Sequence, residues 1–402
     1  MNPQVTALSK FDDTVWNYWE EYHACQNPSE CRISWNGVWE RNPAMCATVK
    51  AHIWASRTGT AKQRPLEWSS LLARQGELRV MANLLEATGK NSFVDLTASL
   101  LNQIAARLPQ TRAGWYCLRS LERIMHDPTL PHLPAVNPFG RKTASDWVKP
   151  DKVKQTRPLS DALIKAMIER CMEYELDVPE LVRLRKTQDW ECPFAVRRHI
   201  RNGWDLRQAW RMAQTAGFIM MLAATGMRSS EVLRIERGGL VCVQGLRTYW
   251  CIQSRVFKFH RGKKTKWVCG LLGQRAYHLL RQLSPEKRLA TTYSGAMIKA
   301  LTLHEYLAEW MNEQGWVDEQ GEPLTLHSHQ FRRTLARRLI RYPKVNLLAM
   351  RDHFKHRTVK MTSYYVGCDD ELRHAILDRY PNASAAHFQA ELRRRAGLEG
   401  AA

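Results

Sequence analysis

Apolar residues recur at intervals of three and four along most of the chain. In "PLEWSSLLARQGELRVMANLLEATG", Leu71, Leu72, Leu78, Met81, Leu84 and Leu85 share one face, which predicts a helix ended by Gly89. "DLTASLLNQIAARL", with Asp95 or Thr97 as its cap, and "RAGWYCLRSLERIMHD" repeat that period, so a helical bundle with basic faces is expected. Upstream, residues 1–60 are rich in Trp. There "TVWNYWEEYHA" has helical spacing and "WNGVWERNPAMCATVKAHIWA" reads as helical in parts. Downstream, prolines and basic residues crowd "DPTLPHLPAVNPFGRKTASDWVKPDKVKQTRP", which predicts a linker.

Helical periodicity returns in "LSDALIKAMIERCMEYEL" and "DLRQAWRMAQTAGFIMMLAATG". The second is apolar on several faces, as a buried core helix would be, and Gly226 stops it. Alternation, the mark of strands, is confined to "LRTYWCIQSRVFKF" and "TKWVCGLL" with "HRGKK" between them, which predicts a hairpin or a small three-stranded sheet. Helices are expected again in "GQRAYHLLRQL", "GAMIKALTLHEYLAEWMNEQG", "SHQFRRTLARRLI", "PKVNLLAMRDHF" and "TVKMTSYYVG". The fold class is mainly α with a small antiparallel β-sheet.

Charge adds a partner to this picture. The 402 residues carry a formal net charge of +21 and a pI near 9.8, while 44% are hydrophobic, enough for a sizeable core. An excess of cations on that scale points to a polyanion, nucleic acid first, because each Lys or Arg beside a phosphate releases counterions. The N-terminal stretch has early acidic residues and no apolar run of a signal peptide, and "AGFIMMLAATG" is too short to span a membrane. The ten scattered cysteines are therefore read as reduced thiols of a cytoplasmic protein, in a bacterial cytoplasm or nucleoid. His23, Cys25, Cys31, Cys46 and His52 lack the close C-x2-C spacing of a zinc knuckle, and no metal or cofactor is expected.

Four stretches of the second half combine into a chemistry. They are "ATGMRSSEVLRI" with Arg228, the hairpin with Lys258, Lys263 and Lys264, "HSHQFRRTLA" with His329 and Arg332, and "KHRTVKMTSYY" with His356. Two guanidiniums can clamp the oxygens of a phosphodiester, an ammonium can protonate a departing 5′-oxygen, and an imidazole can hold a proton. A tyrosine hydroxyl can attack and store the ester as a phosphotyrosine. Singly, each stretch reads as a cap, a solvated basic face or a packed aromatic. As an ordered set they resemble the tyrosine recombinase, or phage integrase, family over residues 158–385.

The resemblance implies a role for each match. Arg228 corresponds to the first arginine, Glu231 to a supporting acid, His329 and Arg332 to a His-x-x-Arg pair, and His356 to the second histidine. Counting nine onward from His356 reaches Tyr365, the implied nucleophile, and leaves Tyr364 as a packing residue. Lys258 is favoured as the general acid, with Lys263 or Lys264 as alternatives. The family's Gly before the second histidine is Lys355 here, and His353 is a rival for that histidine's role. The implied organisation is a 1–60 extension of unknown role, a helical core-binding domain at 61–130 that clamps DNA, and a linker at 131–157. A mixed α/β catalytic domain at 158–385 and a basic tail at 386–402 complete it. The segment after Tyr365 docks either on a neighbouring subunit or on its own domain. The implied function is a site-specific DNA recombinase or integrase of a mobile element. It would act as a homo-tetramer on double-stranded DNA through a 3′-phosphotyrosine, with possible accessory proteins. A type IB topoisomerase and a catalytically inactive DNA-binding accessory protein are the rival readings.

Overall fold

A computed structural model describes residues 2–21, 31–59, 65–150, 157–244, 248–256, 262–317, 321–341, 347–358 and 361–362. The chain divides into two compact units, Met1–Lys154 and Gln155–Ala402. Among the described residues no helix is long and apolar enough to cross a membrane.

The first unit opens with two small antiparallel pairs, β1 (Gln4–Thr6) with β2 (Ser9–Lys10), and β3 (Val15–Asn17) with β4 (Arg32–Ser34). Helices α1 (Val38–Arg41), α2 (Pro43–Thr58), α3 (Trp68–Glu86), α4 (Ala98–Ala106) and α5 (Arg112–Met125) follow. In place of the helix expected in "TVWNYWEEYHA", the described residues hold the strand Val15–Asn17 followed by a turn. Val15, Trp16 and Asn17 pair with Ser34, Ile33 and Arg32, and only Trp16 of the three is fully buried, edge-on to Trp35 at 4.8 Å. That is a period of two, fixed by a partner strand distant in sequence. Trp16, Trp35, Trp39 and Trp68 are each no more than 2% exposed and share one core with Leu71, Leu78, Leu101 and Leu118. The 1–60 segment thus packs with the helices of 61–130. Much of the expected linker belongs there too, since Phe139, Ala144 and Val148 are buried in the same core.

The second unit contains α6 (Asp161–Thr187), α7 (Pro193–Arg197), α8 (Gly203–Thr225) and α9 (Ser229–Val232). The sheet β5 (Leu240–Val243), β6 (Tyr249–Val256) and β7 (Lys263–Cys269) comes next, then α10 (Leu271–Leu283), α11 (Ala300–Gln314), α12 (Ser328–Arg341) and α13 (Leu347–Phe354). As expected, α8 is the core helix, with Trp210 and every residue from Ala213 to Leu222 buried. The Asn202 side chain caps it by accepting from the backbone N–H groups of Trp204 (2.8 Å) and Asp205 (3.0 Å). It ends at Gly226, whose φ of 59° suits glycine, and a Cβ there would lie 2.7 Å from the Phe354 ring. The three strands form an antiparallel meander in the order β5-β6-β7. One face of β6 and β7 buries Ile252, Ser254, Val256, Trp267 and Cys269, while Arg255, Lys264 and Lys266 are exposed on the other.

Candidate active site

The site assembles around the turn that leaves α8. Past Gly226, Arg228 is the N-cap of α9 and Glu231 sits one turn on. Glu231 accepts the backbone N–H of Arg228 at 2.7 Å through one oxygen and its guanidinium at 2.6 Å through the other. The pair is therefore a cap and an ion pair at once. The Glu231 side chain is 2% exposed, whereas that of Arg228 keeps 16%, so only the arginine reaches solvent. Strand β6 braces this turn, with the Ser254 hydroxyl donating to the Glu231 carbonyl at 2.6 Å.

Arg332 projects from α12 and is fully buried. A permanently charged group is tolerated there only with dense compensation. One of its terminal nitrogens donates to the Gly226 carbonyl at 2.8 Å and lies 3.9 Å from Glu231. The other donates to the Phe354 carbonyl and reaches His356 Nε2 at 3.0 Å. A guanidinium has only donors, so Nε2 accepts, and the His356 proton sits on Nδ1, which donates to the Thr362 hydroxyl at 3.0 Å. The guanidinium also lies over the Phe354 ring, 4.7 Å from its centroid. His329 stands one turn before Arg332, half-buried in the first turn of α12. The start of that helix is fixed by Gln330, whose side chain accepts the His327 N–H at 2.7 Å.

Arg228, Glu231, Arg332 and His356 are thus joined in one network, with His329 on the same helix as Arg332. Lys258 and Tyr365 lie outside the described residues. Of the alternative lysines, Lys263 pairs with Val256 and Lys264 with Arg255, so they lie on opposite sheet faces, and both are exposed. His353, the rival histidine, is engaged on the backbone of the α8 turn. Its Nε2 donates to the Thr225 carbonyl at 2.8 Å, and burial holds its pKa down at about 4. Sequence reasoning passed over Thr362 and Ser254, and it weighed His353 only as a rival for the second histidine, not as a donor to the Thr225 carbonyl. The H-x5-T spacing from His356 was the one available signal.

Residues 205–371 match the phage integrase family. The match spans less than half of the chain, all of it in the second unit. All seven residues singled out from the sequence, from Arg228 to Tyr365, fall inside the matched segment. No curated protein sequence matches the chain significantly. Among solved structures, the Tn1549 transposon integrase in complex with transposon right end DNA has 15% identity and a TM-score of 0.50, over 87% of this chain and 99% of that one. The XerH site-specific recombinase bound to palindromic difH substrate, in a post-cleavage complex, has 14% identity and a TM-score of 0.47, covering 77% and 80%. A lambda integrase dimer bound to a COC′ core site has 14% identity and a TM-score of 0.45, covering 75% and 89%. At these identities the likeness is one of fold: a mainly helical chain with small antiparallel sheets.

Proposed function

We propose that the protein is a site-specific DNA recombinase that cuts and rejoins DNA through a 3′-phosphotyrosine. The observation that carries this reading is the buried Arg332. It is bound at once to the turn before Arg228 and to the end of α13 before His356. Such an anchor holds two guanidiniums and an imidazole in fixed relation, which is what stabilising a charged phosphorane-like transition state requires. Arg228, the more exposed of the two, meets the phosphate oxygens, with Arg332 behind it. The Tyr365 oxygen attacks phosphorus and the bond to the 5′-oxygen breaks. Lys258 gives that oxygen its proton. His329 assists transfer of the proton that the tyrosine loses, and His356 supports it by hydrogen bonding to Arg332. Attack by the 5′-hydroxyl of a second duplex reverses the step on a new partner. No nucleotide is consumed and no metal or cofactor is invoked.

The net charge of +21 supplies salt-dependent affinity for the DNA backbone. The Tn1549 likeness favours a mobile element as its setting, and two recombination sites call for four protomers. The action is intracellular, where the DNA is.

The test is covalent trapping on nicked suicide duplexes built from the sequences flanking the gene. Wild type is expected to become DNA-linked in the presence of EDTA, Tyr365→Phe to bind but never link, and Tyr364→Phe to link normally. Linkage by Tyr365→Phe, or none by wild type on any flanking duplex, defeats the reading. Strand exchange between two labelled duplexes separates a recombinase from an enzyme that only religates its own strand.

A further inference from the structure

The residue before His356 has an unusual conformation. The His356 N–H donates to the Arg351 carbonyl at 2.9 Å and the Lys355 N–H to the Asp352 carbonyl at 3.4 Å. Together they close α13 in a Schellman turn, whose left-handed position normally falls to glycine. Here Lys355 occupies it, with φ 56°. A side chain in that region costs about 1 kcal/mol against glycine, and such strain persists where something else determines it.

What determines it is visible on both sides of the residue. Arg332 reaches the Phe354 carbonyl and the His356 ring through the same terminal nitrogen, and these are the two neighbours of Lys355. Only a sharp reversal of the backbone at position 355 lets both converge on one donor. The lysine side chain is itself tied down. Its ammonium donates to the Asp352 carbonyl at 2.7 Å and lies 5.3 Å from the centroid of the Trp267 ring on β7. Trp267 is fully buried in the sheet face that also carries Ser254, the brace of the Glu231 turn. Burial pulls the pKa of this ammonium below its ordinary value, and Glu231 and Arg332 act on it electrostatically.

We propose that Lys355 is a positioning residue of the recombinase site. It locks the left-handed turn that presents His356 to Arg332 and fastens that turn to strand β7 through Trp267. The inference rests on the function proposed above. Glycine at this position would relieve the strain yet leave the turn free to reorient, so stability and activity part company.

The experiment compares wild type, Lys355→Gly and Lys355→Arg by three readouts. In Lys355→Gly the Tm is expected to hold or rise by about 2–4 °C, the equivalent of about 1 kcal/mol for a unit of this size. DNA binding is expected to be unchanged, while suicide-substrate trapping slows by about tenfold or more, about 1.4 kcal/mol of barrier. Lys355→Arg keeps the cation over Trp267 and is expected to restore most of the rate. Ring ¹⁵N shifts of labelled His356 are expected to report the Nδ1–H tautomer in wild type and a mixture in Lys355→Gly. Trapping by Lys355→Gly at the wild-type rate, or a slowed rate that Lys355→Arg fails to recover, overturns the inference. Should wild type itself never trap, the recombinase reading falls. The His356 tautomer then still decides the positioning claim, and an unaltered tautomer in Lys355→Gly refutes it.

Discussion

Glu231 carries one negative charge between two guanidiniums, at 2.6 Å from Arg228 and 3.9 Å from Arg332. Removing one partner from a buried charge network strands the others, at a cost of about 3 kcal/mol or more. Glu231→Gln keeps the shape of the side chain, so urea unfolding reads the charge alone: the unfolding free energy is expected to fall by that amount and the midpoint to fall with it. An unmoved midpoint would mean that the carbonyls of Gly226 and Phe354 suffice for Arg332. Arg228, Glu231, Arg332 and His356 were legible in the sequence because their spacing is itself a signature. Thr362 was not, and for His353 and Lys355 the sequence marked the position without its work, because both donate to backbone carbonyls, atoms that every residue owns. The carbonyl bound by His353 lies 128 positions away, and nothing in the residue type announces it.

Elements with a local period were the readable ones. The burial of α8, the helix that bears Arg332 and the three-stranded meander all follow from intervals within one segment. Where pairing is remote, pattern failed. The strand at Val15–Asn17 takes its partner from beyond residues 22–30, and α6 runs through Pro179 with Cys171 and Val178 buried before it and Leu181 and Leu184 after it. The sheet also separates its lysines, since alternation puts Lys263 on the face of Val256 and Lys264 on that of Arg255, both of them exposed. A lysine that protonates the leaving oxygen is worth about 10²–10⁴ in rate. Lys258→Ala is expected to slow cleavage by that order and to recover on a duplex with a 5′-bridging sulfur, which leaves without a proton. Lys264→Ala is expected to cleave normally. If Lys258→Ala is not rescued by sulfur and Lys263→Ala is, the acid is the residue on the returning strand.

Across the whole molecule, each unit hides a histidine that the fold keeps neutral. Burial lowers His52 to about 4 in the first unit and His353 to about 4 in the second, both from 6.5. Arg74 adds to the effect on His52, and Lys355 and Arg332 to that on His353. A depressed pKa means that the unfolded chain takes up the proton first. Stability is therefore complete above about pH 6.5 and declines as the pH falls toward 4, by about 3 kcal/mol for each histidine. Urea titrations between these limits should show the decline, and His353→Gln should flatten the part belonging to the second unit. A flat profile in wild type would place both rings in water. The turn at Thr225–Gly226 has a further consequence. Its two carbonyls are claimed by Arg332 of α12 and His353 of α13, made more than a hundred residues later. A chain emerging from the ribosome thus has its first guanidinium long before the grip that aims it. Until α12 and α13 have been made, neither carbonyl has its partner, so the geometry of this turn is set only late in synthesis.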